Sequence, residues 1–135
     1  MLEDIPNCFY RISIKALIYD EQKRFLLIKE NNWLRELPGG GLDFWESPQR
    51  WISREIQEEM WLEVTSVAEH PSYFFTSKSR KGVYIANVLY ETTVKNLDFT
   101  PSEECVEIKF FSKEDARLEN NLYPNIQDFL KVVGT

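Results

Sequence analysis

The chain has 135 residues and a formal net charge of −6. A chain of this length forms a single domain with a substantial hydrophobic core. The apolar and charged fractions, 43% and 28%, are ordinary for a globular protein and exclude a disordered chain. The negative charge argues against binding to duplex nucleic acid, and no apolar run is long enough to cross a membrane.

The cysteines and the amino terminus predict the compartment. Cys8 and Cys105 lack the spacing of a metal or redox site, so we expect two buried free thiols. The amino terminus has no basic region followed by an apolar stretch, so we expect no signal peptide. Together these features predict a cytoplasmic protein.

Two strands are predicted before the first glycines. Alternation over residues 9–19 predicts a strand with an apolar face. That face carries Ile12, Ile14, Ala16 and Ile18. A polar turn at residues 20–23 leads to a second strand over residues 24–29, which should pair back on the first. Residues 31–36 should form a loop that leads into the glycines.

The most informative segment is residues 37–62, LPGGGLDFWESPQRWISREIQEEMWL. Gly39–Gly41 predict a loop in which the backbone approaches a ligand closely, because glycine tolerates positive φ. The spacing fits neither a Walker loop nor a dinucleotide-binding fingerprint. Ser47 as N-cap and Pro48 at the first helical position then predict a helix.

The predicted helix combines an apolar stripe with a group of carboxylates. The stripe recurs every four residues, at Ile52, Ile56 and Met60. Glu55, Glu58 and Glu59 fall within an arc of roughly 100° beside that stripe. Like charges at this spacing destabilise a helix unless something neutralises them. A magnesium ion is the natural candidate, because it binds carboxylates together with substrate phosphates.

This segment resembles the Nudix box, G-x5-E-x7-R-E-U-x-E-E-x-G-U, in which U is a bulky aliphatic residue. A chance match of the six identities is on the order of 10⁻⁷ per window. The matching residues are Gly40, Glu46, Arg54, Glu55, Ile56, Glu58, Glu59 and Leu62. The resemblance implies a Nudix-type α/β/α sandwich with a mixed sheet and a catalytic loop-helix-loop in one domain. The residues alone predict only an α/β or α+β fold.

The resemblance also implies a reaction, the hydrolysis of a nucleoside diphosphate linked to a group X by water attack at phosphorus. The cofactor would be Mg²⁺, with Mn²⁺ as a possible substitute. Glu58 and Glu59 would bind the metal, and Glu55 would be a further ligand or the base. A backbone carbonyl near Gly40 would complete the coordination. Glu104, before an aromatic pair, is the better candidate for an additional ligand, with Glu107 second.

Arg54 would orient Glu46 or Glu55 through charge-assisted hydrogen bonds. The glycines at 39–41 would contact the substrate. Lys29 and Arg80 are further candidates for binding an anionic substrate. A solvated strand end is an alternative for Lys29, and a solvated turn at residues 77–82 is an alternative for Arg80.

The sequence departs from the box at Trp61, where the family has glycine. A non-glycine residue in the left-handed conformation costs roughly 1–2 kcal/mol, so we expect the helix to end differently. Trp45 and Trp51 also replace residues that are commonly small in the family. We expect these tryptophans to pack against the sheet; the alternative is that one stacks on a substrate base or ring.

The rest of the chain predicts strands followed by helices. The strands end at Tyr73–Phe75, run over 83–90 and run over 108–112, with a basic hairpin loop at 77–82. A short helix over 113–119 precedes an amphipathic helix that begins at Pro124.

Several functional questions stay open at this point. The substrates considered are nucleoside triphosphates, which we favour slightly, oxidised nucleotides, ADP-ribose, nucleotide sugars and dinucleoside polyphosphates. A homodimer is possible. The rival functions are a Nudix-type module that senses a nucleotide without cleaving it and an acidic interaction domain.

Overall fold

The computed structural model describes residues 7–134. Eight strands and three helices make up this part of the chain. In chain order they are β1 (Arg11–Leu17), β2 (Phe25–Lys29), β3 (Arg35–Glu36), β4 (Gly39–Gly41), α1 (Pro48–Met60), β5 (Val64–Val67), β6 (Tyr73–Lys78), β7 (Tyr84–Val94), β8 (Glu107–Phe111), α2 (Lys113–Arg117) and α3 (Pro124–Val132).

The larger sheet is mixed, as predicted. β1 lies at its centre, antiparallel to β4 and parallel to β7. β5 and β6 each pair antiparallel with β7. Ile14 therefore lies between Gly40 on one side and Val88 on the other. This arrangement places the glycine run directly beside the central strand.

β2 does not extend the larger sheet. It pairs with β3 and β8 in a second, antiparallel sheet. β1 and β2 meet only beside their turn, where Tyr19 bridges Phe25 and the Leu26 N–H donates to the Ile18 carbonyl over 2.9 Å. The predicted pairing of the two strands is thus wrong beyond the turn, because β4 and β7 occupy both edges of β1.

The glycine run is a strand, not the predicted loop, and the predicted loop before it contains β3. Gly39 pairs with Lys15 at a φ of 134°. A Cβ on Gly39 would lie 2.1 Å from the Ile14 carbonyl oxygen. Glycine is needed at Gly39 because the two backbones approach so closely.

The larger sheet is covered on both faces, which confirms the sandwich. α1 packs its stripe of Ile52, Ile56 and Met60 on the face that carries Ile14. α3 packs on the opposite face, which carries Leu17, Leu89 and Phe75, through Ile126 and Phe129. Side chains alternate between the two faces along β1, so Ser13 and Lys15 lie on the same face as Leu17, which α3 covers.

The tryptophans divide into one core residue and three exposed residues. Trp51 is buried, and its ring lies 3.4 Å from where a Gly40 Cβ would be. Trp33, Trp45 and Trp61 are exposed and have φ values of 67°, 68° and 58°. The expected packing against the sheet is therefore correct for Trp51 and wrong for Trp45 and Trp61.

The helices begin as predicted. The Ser47 hydroxyl accepts a hydrogen bond from the Arg50 N–H over 3.2 Å at the start of α1. The end of α1 differs from our expectation, because Trp61 itself adopts the left-handed conformation and its N–H donates to the Gln57 carbonyl over 3.0 Å. α2 ends at Arg117, and the region 63–76 contains two strands, with Pro71 between them.

Trp61→Gly should stabilise the protein by about 1 kcal/mol, because glycine adopts this φ without a steric cost. The Trp61 side chain is 63% exposed, so little packing is lost. Urea unfolding of the wild type, Trp61→Gly and Trp61→Ala would measure the effect. Trp61→Ala removes the ring and keeps the strain, so Trp61→Gly must be the more stable of the two variants for the explanation to hold.

Two further expectations concern the thiols and membranes. Cys105 is buried as expected, whereas Cys8 is exposed. Both thiols are free. None of the helices within residues 7–134 has the length and apolar character needed to span a bilayer.

Candidate active site

The three glutamates of α1 differ in exposure. Glu55 and Glu59 are half-buried at the edge of the packed face, and Glu58 is exposed. The difference follows from the 100° rotation per residue, which turns Glu58 furthest from the buried stripe. Two of the three carboxylates therefore lie where the sequence places them, beside the core.

A loop after β7 brings a fourth carboxylate to the same place. The Ser102 hydroxyl donates to the Glu59 carbonyl over 2.9 Å, and the Cys105 N–H donates to the Ser102 hydroxyl over 3.2 Å. These bonds fasten the loop to the end of α1. Glu104 then lies close enough to Glu55 and Glu59 for its charge to raise the pKa of both carboxyls. We call Glu55, Glu59 and Glu104 the glutamate cluster.

Burial and mutual repulsion make the ionised cluster unfavourable. Burial raises the pKa of Glu59 to about 8, and the charges of Glu55 and Glu104 add to the effect. Burial and a hydrogen bond with Glu58 likewise raise the pKa of Glu55. The Lys15 ammonium opposes the shift at Glu59. A cluster of this kind gains free energy when a cation neutralises it.

Arg54 joins the helix to the preceding loop. Its Nε and Nη2 donate to the two carboxylate oxygens of Glu46, each over 2.9 Å. Its Nη1 donates to Glu58 over 3.2 Å, whereas the nearest Glu55 oxygen is 3.6 Å away. The Arg54 hydrogen bonds hold the pKa of Glu46 below its usual range. Of the two alternatives for Arg54, Glu46 is therefore its bidentate partner.

No three His, Cys, Asp or Glu side chains within residues 7–134 are arranged to hold a metal ion together. Glu58 pairs with Arg54 over 3.2 Å and lies outside the glutamate cluster. The donor set nevertheless fits a hard divalent cation, since Mg²⁺ usually takes one or two carboxylates and completes its shell with substrate oxygens and water.

A cavity of about 670 Å³ opens on the α3 face of the larger sheet. β1, β6 and β7 form its floor, and the start of α3 closes one side. Among the lining side chains are Ser13, Lys15, Glu36, Arg80, Lys81, Asn87, Tyr123 and Asn125. Arg80 lines this cavity, and its contact with a substrate stays a prediction.

The remaining candidates are placed as follows. Gly39–Gly41 run along β1 opposite Ser13 and Lys15, which line the cavity. Lys29 does not line it: its ammonium lies 3.8 Å from Glu107 and over the Trp33 ring. Glu107 accepts a hydrogen bond from Arg35 and is not part of the glutamate cluster.

Sequence reasoning missed the polar floor of the cavity. Lys15, Glu36, Asn87 and Asn125 are buried polar residues. The signal was present in β1, where Lys15 falls on the face opposite Ile14 and Ala16. The prediction considered only the apolar face of that strand, so the side chains on its other face were expected to be exposed to solvent.

The structure is a mixed sheet between helical layers, with a glycine strand beside a glutamate-rich helix. This is the class of structure that the box implies. The sequence matches the family model of the NUDIX domain over residues 9–133. The chain therefore belongs to the Nudix family, and it is a hydrolase of diphosphate (acid anhydride) bonds. Members of this family act on small nucleotide-like substrates and generally use divalent cations.

Solved structures show the same fold. The MutT protein from Methanosarcina mazei Go1 is 24% identical over 94% of each chain, with a TM-score of 0.70. The ORF135 protein of E. coli is 19% identical over 94% of this chain and 90% of that one, with a TM-score of 0.74. An ADP-ribose pyrophosphatase from Streptococcus suis is 25% identical over 79% and 77%, with a TM-score of 0.59. No curated protein matches the sequence.

Proposed function

We propose that this protein is a magnesium-dependent pyrophosphohydrolase that cleaves a nucleoside diphosphate linked to X, with nucleoside triphosphates as the preferred class. The observation that carries the proposal is the glutamate cluster together with a cavity that contains three cationic side chains and one carboxylate; Lys15 links them, because it lines the cavity and its charge acts on Glu59. In a chain of net charge −6, such a cavity favours an anionic ligand.

In this proposal Glu55, Glu58, Glu59 and Glu104, with a carbonyl near Gly40, would hold Mg²⁺ or Mn²⁺. The bound cation would polarise the phosphoryl oxygens and acidify a water molecule. Glu55 would bind the cation or accept the proton of the attacking water; burial raises the pKa of its carboxyl, which makes it a stronger proton acceptor.

The other box residues would position these groups. Arg54 fixes Glu46 in a bidentate pair, which keeps the loop before α1 against the helix. Gly39–Gly41 would contact the substrate through backbone atoms. Arg80 would contact the substrate from the hairpin loop.

The rival function is a nucleotide sensor that binds without cleavage. The exposed, left-handed Trp61 departs from the box and is the feature that favours it. The presence of all three helix glutamates argues against it, since binding alone does not require them. The homodimer and the cytoplasmic location stay predictions.

Release of phosphate and pyrophosphate from a panel of compounds would test the proposal. The panel holds the four nucleoside triphosphates, an oxidised nucleotide, ADP-ribose, a nucleotide sugar and a dinucleoside polyphosphate, each with Mg²⁺ and with chelator. We expect magnesium-dependent release, fastest from a triphosphate. Thermal stabilisation by a nucleotide without release from any compound would instead establish the sensor.

A further inference from the structure

Lys15 is a buried cation on the floor of the cavity. The residue is 5% exposed, although lysine is among the residues that are rarely buried. Its ammonium lies 3.5 Å from Glu36 Oε2, the only carboxylate oxygen within 4.0 Å of it in the described part of the chain. The ammonium therefore has one carboxylate partner for its three donors, and the residue lines the cavity.

Glu36 does not depend on Lys15 for its position. Its Oε1 accepts hydrogen bonds from the Leu37 N–H and from Asn125 Nδ2, each over 2.9 Å. Asn87 in turn donates to the Phe75 carbonyl over 3.2 Å. Oε1 of the carboxylate is therefore held by neighbouring donors, and Lys15 is the cation that faces Oε2.

The location of Lys15 indicates the kind of ligand. It lines the cavity, and its charge acts on Glu59 of the glutamate cluster. On β1 it lies opposite Gly39, so no side chain from β4 separates it from the glycine strand. A charged oxygen bound at this point would gain a charge-assisted hydrogen bond, which is about twice as strong as a neutral one.

We propose that the Lys15 ammonium binds a phosphoryl oxygen of the substrate's diphosphate, at the junction between the glutamate cluster and the cavity. The proposal rests on the proposed function for the identity of the ligand. It makes Lys15 a substrate-binding residue, with Glu36 as the carboxylate that pairs with the ammonium.

Calorimetric titration with inorganic pyrophosphate in the presence of Mg²⁺ tests the contact without turnover. We expect Lys15→Met to weaken pyrophosphate binding by roughly tenfold or more, the effect of losing a hydrogen bond to a charged group. Lys15→Arg should retain most of the affinity. Lys95→Met, which removes the same charge from an exposed position, should bind as the wild type does.

A double variant separates loss of the contact from damage to the fold. Lys15→Met leaves the Glu36 carboxylate without its cation, which is itself destabilising. Lys15→Met with Glu36→Gln removes both charges, and its melting temperature should return towards the wild-type value. It should bind pyrophosphate as weakly as the single variant. Wild-type affinity in this double variant would overturn the proposal.

Turnover supplies an independent readout. The KM of Lys15→Met should rise by the same factor for every nucleoside triphosphate, because the diphosphate is common to all. A rise confined to one base, with pyrophosphate binding unchanged, would show that Lys15 recognises the base and would overturn the proposal while the hydrolase function stands. If the wild type hydrolyses no compound and Lys15→Met still binds pyrophosphate more weakly, the result would support Lys15 as a pyrophosphate-binding residue and refute the hydrolase function.

Discussion

Glu59→Gln is expected to reduce magnesium-dependent hydrolysis by at least about a hundredfold, the largest loss of activity that we predict for a single substitution. Glutamine has nearly the same shape as glutamate and carries no charge. It keeps the packing of Glu59 beside Met60 and removes a carboxylate that would hold the cation. Initial rates of phosphate release at saturating Mg²⁺, with the compound that the wild type hydrolyses fastest, would measure the loss.

Glu63→Gln is the matched control, because it removes one charge at an exposed position just beyond α1. It should hydrolyse the compound at the wild-type rate. Near-normal turnover in Glu59→Gln would remove Glu59 from the set of metal ligands. A hundredfold loss in both variants would point to net charge rather than to the site.

The stability of the same variant should depend differently on pH. Burial raises the Glu59 pKa from 4.5 to about 8, so the metal-free native state binds this proton more tightly than the unfolded state does. The stabilisation of the native state by this proton is complete below pH 4.5 and is lost as the pH rises towards 8. Glu59→Gln lacks this ionisation, so its free energy of unfolding should decline less over that interval. Urea titrations at several pH values would compare the two proteins.

Gly39→Ala should destabilise the protein by roughly 2–5 kcal/mol, the largest effect on stability that we predict. The φ of 134° is unfavourable for alanine, and the new Cβ would lie 2.1 Å from the Ile14 carbonyl oxygen. Removing this steric clash requires β4 to move away from β1. The midpoint of urea unfolding would report the effect, and activity should fall with it because β4 lies between β1 and the segment that leads into α1.

Gly82→Ala is the matched control for this effect. Gly82 also has a positive φ, 85°, but a Cβ there would meet only the Lys78 side chain at 3.8 Å. Gly82→Ala should lower the free energy of unfolding by roughly 1–2 kcal/mol, the effect of the backbone conformation alone. If Gly39→Ala costs no more than Gly82→Ala, the close approach of β4 to β1 is not a constraint.

The local features of the chain could be predicted from the sequence because they depend on neighbouring residues. The N-cap at Ser47 and the apolar stripe of α1 follow from spacing alone, and so does the half-buried position of Glu55 and Glu59. The box also places Arg54 within reach of Glu46. Each of these involves residues within one or two turns of a helix and the loop before it.

The incorrect predictions involve partners that are distant in sequence. The glycine run was expected to be a loop because glycine tolerates positive φ, but pairing with β1 makes it a strand. The same pairing takes the edge of β1 that β2 was expected to occupy. Lys15 was missed for a related reason: its burial depends on Glu36 and on the start of α3, and neither lies near it in the sequence.

The parallel pairing of β1 with β7 has a consequence for synthesis on the ribosome. Arg11 pairs with Ile85, and Leu17 pairs with Glu91. The central strand of the sheet is thus translated well before β7 and receives one of its two neighbours only when β7 has been made. Contacts between residues so far apart slow folding. Until β7 emerges, one edge of β1 remains open, and the nascent chain is exposed to aggregation during that interval.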